Sequence, residues 1–317
     1  VWTCGSNDEG ALGRPTNRDT EDEHIPGIVN GLPTGEEVKM VSCGDSHTIV
    51  LLGNGEVWGW GVFRDATNNK GNMGFIEVGK KKQQRVPARI PGFEGKHVVG
   101  ISSGSDHCMA VCDDGSVWQW GDACMSMKGN DIADKAQKLL PMEVALSGAA
   151  EAVFAGGNCS FALLKDGRVF GWGLNNVGQL GVSAEARPPK DSQWVFPPEQ
   201  VQSDFDGGRV RKITPGESHT LYLTNQGRIY TSGCKHYGVL GIDGLGDDVT
   251  NVLVPTEISE PVGGSVGSRL KPRFVDVSVG QMHSMACTKD GKMYGWGCGD
   301  DLQLGTGKQE EEKVAVL

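Results

Sequence analysis

The sequence has 317 residues, 48 glycines and a net charge of −10, from 40 acidic and 30 basic side chains. This acidity argues against direct binding of nucleic acid, which needs clustered Lys and Arg, and favours a basic protein surface as partner. The absence of an apolar run of about eighteen residues predicts no membrane span. Nine cysteines without a CxxC pair indicate reduced thiols more than disulfides or a zinc site.

Five segments share one spacing of glycines. Their first glycines are Gly44, Gly104, Gly156, Gly216 and Gly280. A second glycine follows eleven residues after the first, and a third follows seventeen residues after it, in every copy. His stands three residues after the first glycine in four copies, and Cys159 takes that place in the fifth. Five copies without a spacing error indicate a repeat architecture.

Each repeat predicts about four strands. The apolar stretch Thr48–Leu52 predicts a buried strand, and Asn54-Gly55 predicts a two-residue hairpin turn with positive φ. Alternating apolar residues in Val57–Gly61 predict the return strand. Sheets of this size, repeated radially, are typical of an all-β propeller. The glycines that end the return strands are Gly5, Gly61, Gly121, Gly173, Gly233 and Gly297.

One connection departs from the repeat. Four copies continue from the third glycine to Leu-Gly at the seventh and eighth positions, and the copy at Gly121 keeps Gly129 but has Lys128 in place of Leu. The copy at Gly61 reaches its comparable glycine only at Gly74, five residues later. We therefore consider residues 62–74 a wedge-like insertion. A feature of one repeat alone either serves function or is a surface loop tolerated at little cost, and the spacing leaves both interpretations open.

The two positions after each first glycine also vary, and three copies carry a carboxylate there: Asp45, Asp106 and Glu217. These acids either face a basic partner or bond to backbone amides in the turn. One His per repeat is too widely spread to gather around a metal ion, so we predict a structural role for it and no metal site. Without a phosphate loop or nucleophile motif, we predict no cofactor and no covalent catalysis.

The pattern Gly-x-x-His-Thr, apolar strand, Asp-Gly, return strand and Trp-Gly resembles the repeats of the regulator of chromosome condensation family. Residues 4–14 and residues 44–48, followed by 60–65, are similar to segments of its chromatin-bound exchange factor. The resemblance implies a seven-bladed propeller with residues 1–317 as a single domain. It also implies guanine-nucleotide exchange on the small GTPase Ran, in the nucleus and in association with chromatin.

The resemblance assigns roles to single residues. It makes the insertion a β-wedge that presses on the GTPase. The implied GTPase contacts are Asp45, Asp106, His219, Glu77 and the wedge residues Phe63, Arg64 and Asp65. Histones or nucleosomes are implied as a second partner. The family's basic tail, which would bind DNA, has no counterpart in this sequence, and no membrane partner is implied.

Two expectations qualify the resemblance. Five complete hairpins and six Trp-Gly-type modules are fewer than seven blades need, which predicts that parts of the terminal blades are missing at both ends. The alternative function is a propeller that binds proteins without exchanging nucleotide, as in a ubiquitin ligase or an adaptor. A nucleotide-exchange assay distinguishes the two functions.

Overall fold

The structure is a computed structural model that describes residues 1–17, 22–64, 70–71, 83–121, 140–182, 193–262 and 272–317. Its regular structure is almost entirely β-sheet, in five four-stranded and two two-stranded sheets. The helical segments are the short 3-10 helices Asp22–His24, Phe205–Gly207 and His236–Gly238. Across these ranges no helix has the length and apolar character that crossing a membrane requires.

The chain divides into two compact units, Val1–Lys165 and Asp166–Leu317. The strands of the first unit are β1 (Trp2–Thr3), β2 (Gly27–Ile28), β3 (Val38–Cys43), β4 (His47–Leu52), β5 (Val57–Gly61), β6 (Phe63–Arg64), β7 (Lys70–Gly71), β8 (Gln84–Arg89), β9 (Val98–Ser103), β10 (His107–Cys112), β11 (Val117–Gly121), β12 (Met142–Val144), β13 (Ala150–Ala155) and β14 (Cys159–Leu164). The orders β3-β4-β5-β8 and β9-β10-β11-β12 form four-stranded sheets, while β1-β2 and β6-β7 are separate pairs. The prediction of a single domain stays a prediction.

The second unit repeats this arrangement. Its strands are β15 (Val169–Leu174), β16 (Trp194–Gln200), β17 (Val210–Pro215), β18 (His219–Thr224), β19 (Ile229–Cys234), β20 (Asn251–Glu257), β21 (Phe274–Val279), β22 (His283–Thr288), β23 (Met293–Gly297) and β24 (Glu312–Val316). β17–β20 and β21–β24 form four-stranded sheets, and the remaining sheet has the order β13-β14-β15-β16. In every four-stranded sheet the strands lie in chain order, and we name them a, b, c and d.

The hairpin between strands b and c is one residue longer than predicted. Gly55 N donates to Leu52 O at 3.0 Å, and Leu52 N donates to Glu56 O at 2.9 Å. Only Gly55 in this turn has a positive φ, of 84°. This is a type I turn followed by a left-handed glycine, not the two-residue turn that Asn-Gly favours. The predicted strands and the place of the turn are confirmed, and its type is corrected.

The third glycine of the repeat is required by its backbone conformation. Gly61 has φ +103°, and a Cβ there would lie 2.3 Å from Ser46 O. The same left-handed conformation recurs at the ends of the other c strands, at Gly121, Gly173, Gly233 and Gly297. Left-handed backbone is readily adopted by glycine alone, so this spacing in the sequence records a conformational requirement.

Four b strands, β4, β10, β14 and β18, are buried along their length because other sheets cover both faces, whereas β22 is buried only at alternate residues. In β4, Ile49 and Leu51 pack in a cluster with Trp120 of the following sheet. The alternate side chains Val50 and Leu52 pack with Trp60 in a second cluster. A strand covered on both faces needs a continuous apolar run, which explains why Thr48–Leu52 does not alternate.

Candidate functional site

The loops that join strands a and b form a connected row in the first unit. Asp45 N donates to Ser105 O of the next repeat at 3.1 Å, and Ser105 N donates to Gly157 O at 3.0 Å. Gly44 and Gly104 permit this approach, since a Cβ on either would lie within 2.4 Å of a carbonyl oxygen of the following repeat. We call residues 44–46, 104–106 and 156–158 the loop row. Its backbone hydrogen bonds hold the variable positions of three successive repeats side by side.

The structure brings the two predicted acids together in this row. Asp45 is exposed and Asp106 is half-buried, and the backbone of Asp45 is bonded to the residue before Asp106. Within the described residues the Asp45 carboxylate has no hydrogen-bond or ion-pair partner. An exposed carboxylate without an internal partner is available to a basic group of another protein. The alternative interpretation, a turn-capping role, therefore does not apply to Asp45 within the described residues.

The wedge-like insertion starts beside Asp45. Val62 N donates to Ser46 O at 2.9 Å, which holds the first residue of the insertion against the loop row. Beyond Val62, β6 and β7 pair with Phe63 opposite Gly71 and Arg64 opposite Lys70. Asp65 and Glu77 lie outside the described residues. The entry of the insertion and the two acids thus lie next to one another in the first unit.

The pairing of the d strands shows how long the connection between strands c and d is in each repeat. Gly61 pairs with Gln84, Gly173 with Val195, Gly233 with Val252 and Gly297 with Glu312. The connections between strands c and d therefore differ in length from repeat to repeat. What distinguishes residues 62–74 is the missing glycine at the eighth position after Gly61: the copy at Gly121 has Lys128 in place of Leu but keeps Gly129. Leu12, Leu180, Leu240 and Leu304 are buried in the remaining four copies.

Three of the four repeated histidines bond to the next repeat. His107 Nε2 lies 3.0 Å from Ser160 Oγ, His47 Nε2 lies 3.2 Å from Cys108 Sγ, and His219 Nε2 lies 2.8 Å from Ser284 Oγ. Burial lowers the pKa of His47 to about 3 and the pKa of His107 and His219 to about 4. These imidazoles are therefore neutral near pH 7. Each joins two neighbouring sheets, as expected of a structural residue.

His219 cannot make the direct contact that the resemblance implied. Its side chain is fully buried, and its Nε2 faces Ser284 within the second unit. The nearest surface residue of its loop is Glu217, which is exposed and accepts a hydrogen bond from Gln281 Nε2 at 2.9 Å. Any influence of His219 on a partner therefore passes through the position of this loop.

The sequence analysis missed the far end of the connection after Gly61. There Gln83 Nε2 donates to Glu9 Oε2 at 2.6 Å, although the two residues are 74 positions apart. No local pattern marks such a pair, because neither residue breaks the repeat spacing. Nor do the described residues hold a group of three or more His, Cys, Asp or Glu side chains placed to bind a metal ion.

The chain is similar to a known domain family, to proteins of that family and to a solved structure. Residues 1–316 match the model of the RCC1-like domain. The guanine nucleotide exchange factor SRM1 of Saccharomyces cerevisiae is 30% identical over 98% of this chain and 68% of its own length. The human regulator of chromosome condensation is 33% identical over 98% of this chain and 70% of its own length. The crystal structure of Prp20p from S. cerevisiae is similar with a TM-score of 0.83 at 29% identity, over 99% of this chain and 72% of that chain.

These likenesses confirm the predicted all-β propeller, whose repeat is the four-stranded sheet. The number of seven blades stays a prediction.

Relatives with other names match at similar identity. The ultraviolet-B receptor UVR8 of Arabidopsis thaliana is 31% identical over 98% of this chain and 64% of its own length. The human probable E3 ubiquitin-protein ligase HERC3 is 31% identical over 88% of this chain and 29% of its own length. The function must therefore be argued from the site.

Proposed function

The chain belongs to the RCC1-like domain family, and on that premise we propose that it is a guanine-nucleotide exchange factor for a small GTPase of the Ran class. One of the relatives named above, SRM1, is a guanine nucleotide exchange factor, and the Prp20p structure was described together with the binding of that protein to Gsp1p and histones. An exchange factor makes and breaks no covalent bond. It binds the nucleotide-free GTPase more tightly than the loaded one and thereby favours nucleotide release.

The observation that carries the proposal is the meeting of two features in the first unit. The exposed carboxylate of Asp45 lies in the loop row beside Asp106, and the wedge-like insertion starts at Val62, bonded to the same loop. Because the acids and the inserted segment adjoin, one site can both bind the GTPase and act on its nucleotide. The acids hold basic side chains of the GTPase, and the insertion acts on the nucleotide site.

The assigned contacts follow from this arrangement. Asp45 and Asp106 meet basic groups of the GTPase, and the β6-β7 pair with Phe63 and Arg64 begins the β-wedge. Asp65 and Glu77 are further contacts on the insertion, proposed from the resemblance. His219 acts only by fixing its loop, since its side chain is buried.

We further propose that the protein acts in the nucleus, in association with chromatin. Two of its relatives carry names that refer to chromosome condensation or exchange, and the solved yeast protein was examined for histone binding. The net charge of −10 favours basic partners such as histones over direct contact with DNA.

The test is release of fluorescent GDP from Ran with and without the 317-residue chain. The chain should accelerate release from Ran and leave a small GTPase of the Ras class at its spontaneous rate. Circular dichroism and urea unfolding on the same preparation establish that the chain is folded. A folded chain that leaves Ran at its spontaneous rate contradicts the proposal.

Such a result would favour the second candidate, a propeller that binds proteins without exchanging nucleotide. The observation behind it is the similar identity of the chain to HERC3 and UVR8. In that case the loop row still provides an acidic contact surface, but the insertion has no role in nucleotide release.

A further inference from the structure

The connection between β5 and β8, which contains the wedge-like insertion, ends at Gln83 in a network of side-chain hydrogen bonds in the first unit. Gln83 uses both ends of its amide: Nε2 donates to Glu9 Oε2 at 2.6 Å, and Oε1 accepts from Arg85 Nη2 at 2.7 Å. The same Arg85 nitrogen donates to Asp8 O at 3.2 Å. The start of β8 is therefore bonded to the loop that contains Asp8, Glu9 and Gly10, which belongs to the preceding repeat.

Part of this contact recurs in the other repeats. A Cβ on Gly10 would lie 2.9 Å from Arg85 Cγ, one on Gly178 would lie 2.5 Å from Leu253 Cδ2, and one on Gly238 would lie 3.0 Å from Lys313 Cα. Arg85, Leu253 and Lys313 occupy the same register position, one residue after the partner of the third glycine. Packing of a d strand on this glycine is thus a property of the repeat. The hydrogen bonds of Gln83 and Arg85 with Asp8 and Glu9 are not a property of the repeat, because Leu253, the counterpart of Arg85, has no polar side-chain atom.

The loop that receives these hydrogen bonds is itself held firmly. Asn7 is buried, and its Nδ2 donates to Arg14 O and to Thr16 Oγ1, both at 3.0 Å. Its Oδ1 accepts from Leu12 N at 3.1 Å, and its backbone N donates to Glu23 Oε2 at 3.2 Å. Because both polar atoms of the Asn7 side chain are hydrogen-bonded, the loop is fixed, and residues 8–10 provide a rigid support for Gln83 and Arg85.

Both ends of the connection between β5 and β8, which contains the insertion, are therefore held by hydrogen bonds. At the entry, Val62 N is bonded to Ser46 O, and at the exit, Gln83 and Arg85 are bonded to Glu9 and Asp8. A segment that pushes on a partner transmits force only if its base does not yield. A small displacement of a positioned group is enough to lower a rate strongly.

From this geometry we infer that Gln83, Glu9 and Arg85 form a clamp on the connection that contains the insertion, and that this clamp positions the insertion for nucleotide release. This inference rests on the proposed exchange function. The three side chains are positioning residues: they act on the GTPase through the insertion and do not touch it. Loss of the clamp therefore lowers the maximal rate of release more than it weakens complex formation.

The test is a double-mutant cycle with Gln83→Ala and Glu9→Ala. Each variant should lower GDP release at saturating concentration by about tenfold and change binding to nucleotide-free Ran by less than about threefold. The double variant should lose much less than the product of the two single losses, because Gln83→Ala already removes the bond to Glu9. Glu9→Gln keeps an acceptor for Gln83 and should retain the rate. Asn251→Ala is the matched control: Asn251 has the register position of Gln83 in the second unit, one residue before the partner of the third glycine, and its loss should leave the rate unchanged.

Two results overturn the clamp: a wild-type maximal rate in Gln83→Ala, or rate losses that multiply in the double variant. Failure of the exchange proposal is recognised separately, because the unmodified chain would then not release GDP. In that case tryptic cleavage after Lys80–Lys82, just before Gln83, decides the clamp. Cleavage in Gln83→Ala should be several times faster than in the unmodified chain, and an equal rate contradicts the inference.

Discussion

Asp45→Asn separates the acidic contact from the stability of the fold. The exposed carboxylate has no partner within the described residues, and the backbone bond from Asp45 N to Ser105 O is independent of the side chain. Unfolding free energy should therefore stay within about 0.5 kcal/mol of the unmodified chain. A basic group of the GTPase about 4 Å away would attract the carboxylate by about 4 kcal/mol at an effective dielectric constant of about 20.

Desolvation of the exposed carboxylate offsets much of this attraction. We expect a net loss of about 1–2 kcal/mol, which corresponds to a decrease of roughly five- to thirtyfold in kcat/KM for nucleotide exchange. The loss should shrink as salt is added, because screening weakens the contact in the unmodified chain. The assay is fluorescent-GDP release at several concentrations of the chain, with urea unfolding on the same samples.

Asp113→Asn is the matched control. It makes the same change in net charge, and Asp113 is an exposed residue of the hairpin at the other end of β10 from Asp106. It should leave kcat/KM unchanged. Equal losses in the two variants would mean that overall charge alone matters. Asn keeps an oxygen that can cap the turn, so Asp45→Ala completes the test. A lower Tm in Asp45→Ala, with full activity for each folded molecule, would show that the side chain caps the turn.

Three further predictions concern the insertion, the overall charge and the buried histidines. Replacing Phe63–Asn72 with a shorter connection should leave the chain folded, since loop closure changes by about 0.6 kcal/mol per halving of length. GDP release should be lost while complex formation persists in part, and near-normal release would refute the wedge. Association with Ran, followed by stopped flow, should slow as the Debye length falls from about 30 Å at 0.01 M to about 8 Å at 0.15 M salt; a flat profile would mean that the acidity serves solubility. The folded-state pKa of His219 is lowered from 6.5 to about 4, so its contribution to stability is full above pH 6.5 and is lost as pH falls, by about 2 kcal/mol near pH 5. In His219→Gln the free energy of unfolding should depend less steeply on pH between 6.5 and 5, by about one proton, and an unchanged slope would contradict the burial effect.

Much of the fold was predictable from the sequence because the same local requirements, for glycine and for apolar residues, recur in every repeat. A left-handed backbone at Gly55 and Gly61 requires glycine at fixed positions, so the spacing of glycines reports the hairpin and the end of each c strand directly. The apolar run Thr48–Leu52 likewise reports a strand covered on both faces. These features depend on a few neighbouring residues, and the repeat multiplies the signal.

The candidate site depended on contacts that no local pattern encodes. The tertiary structure determined that Asp45 lies in the same row of loops as Asp106, through a backbone bond to Ser105. It determined that His219 is enclosed against Ser284 and not exposed, because an adjacent sheet covers it. Hydrogen bonds between repeats, such as those from Asp45 to Ser105 and between His47 and Cys108, join residues about one repeat apart in the chain. The spacing alone does not say which atoms meet, and that is known only once the sheets are packed.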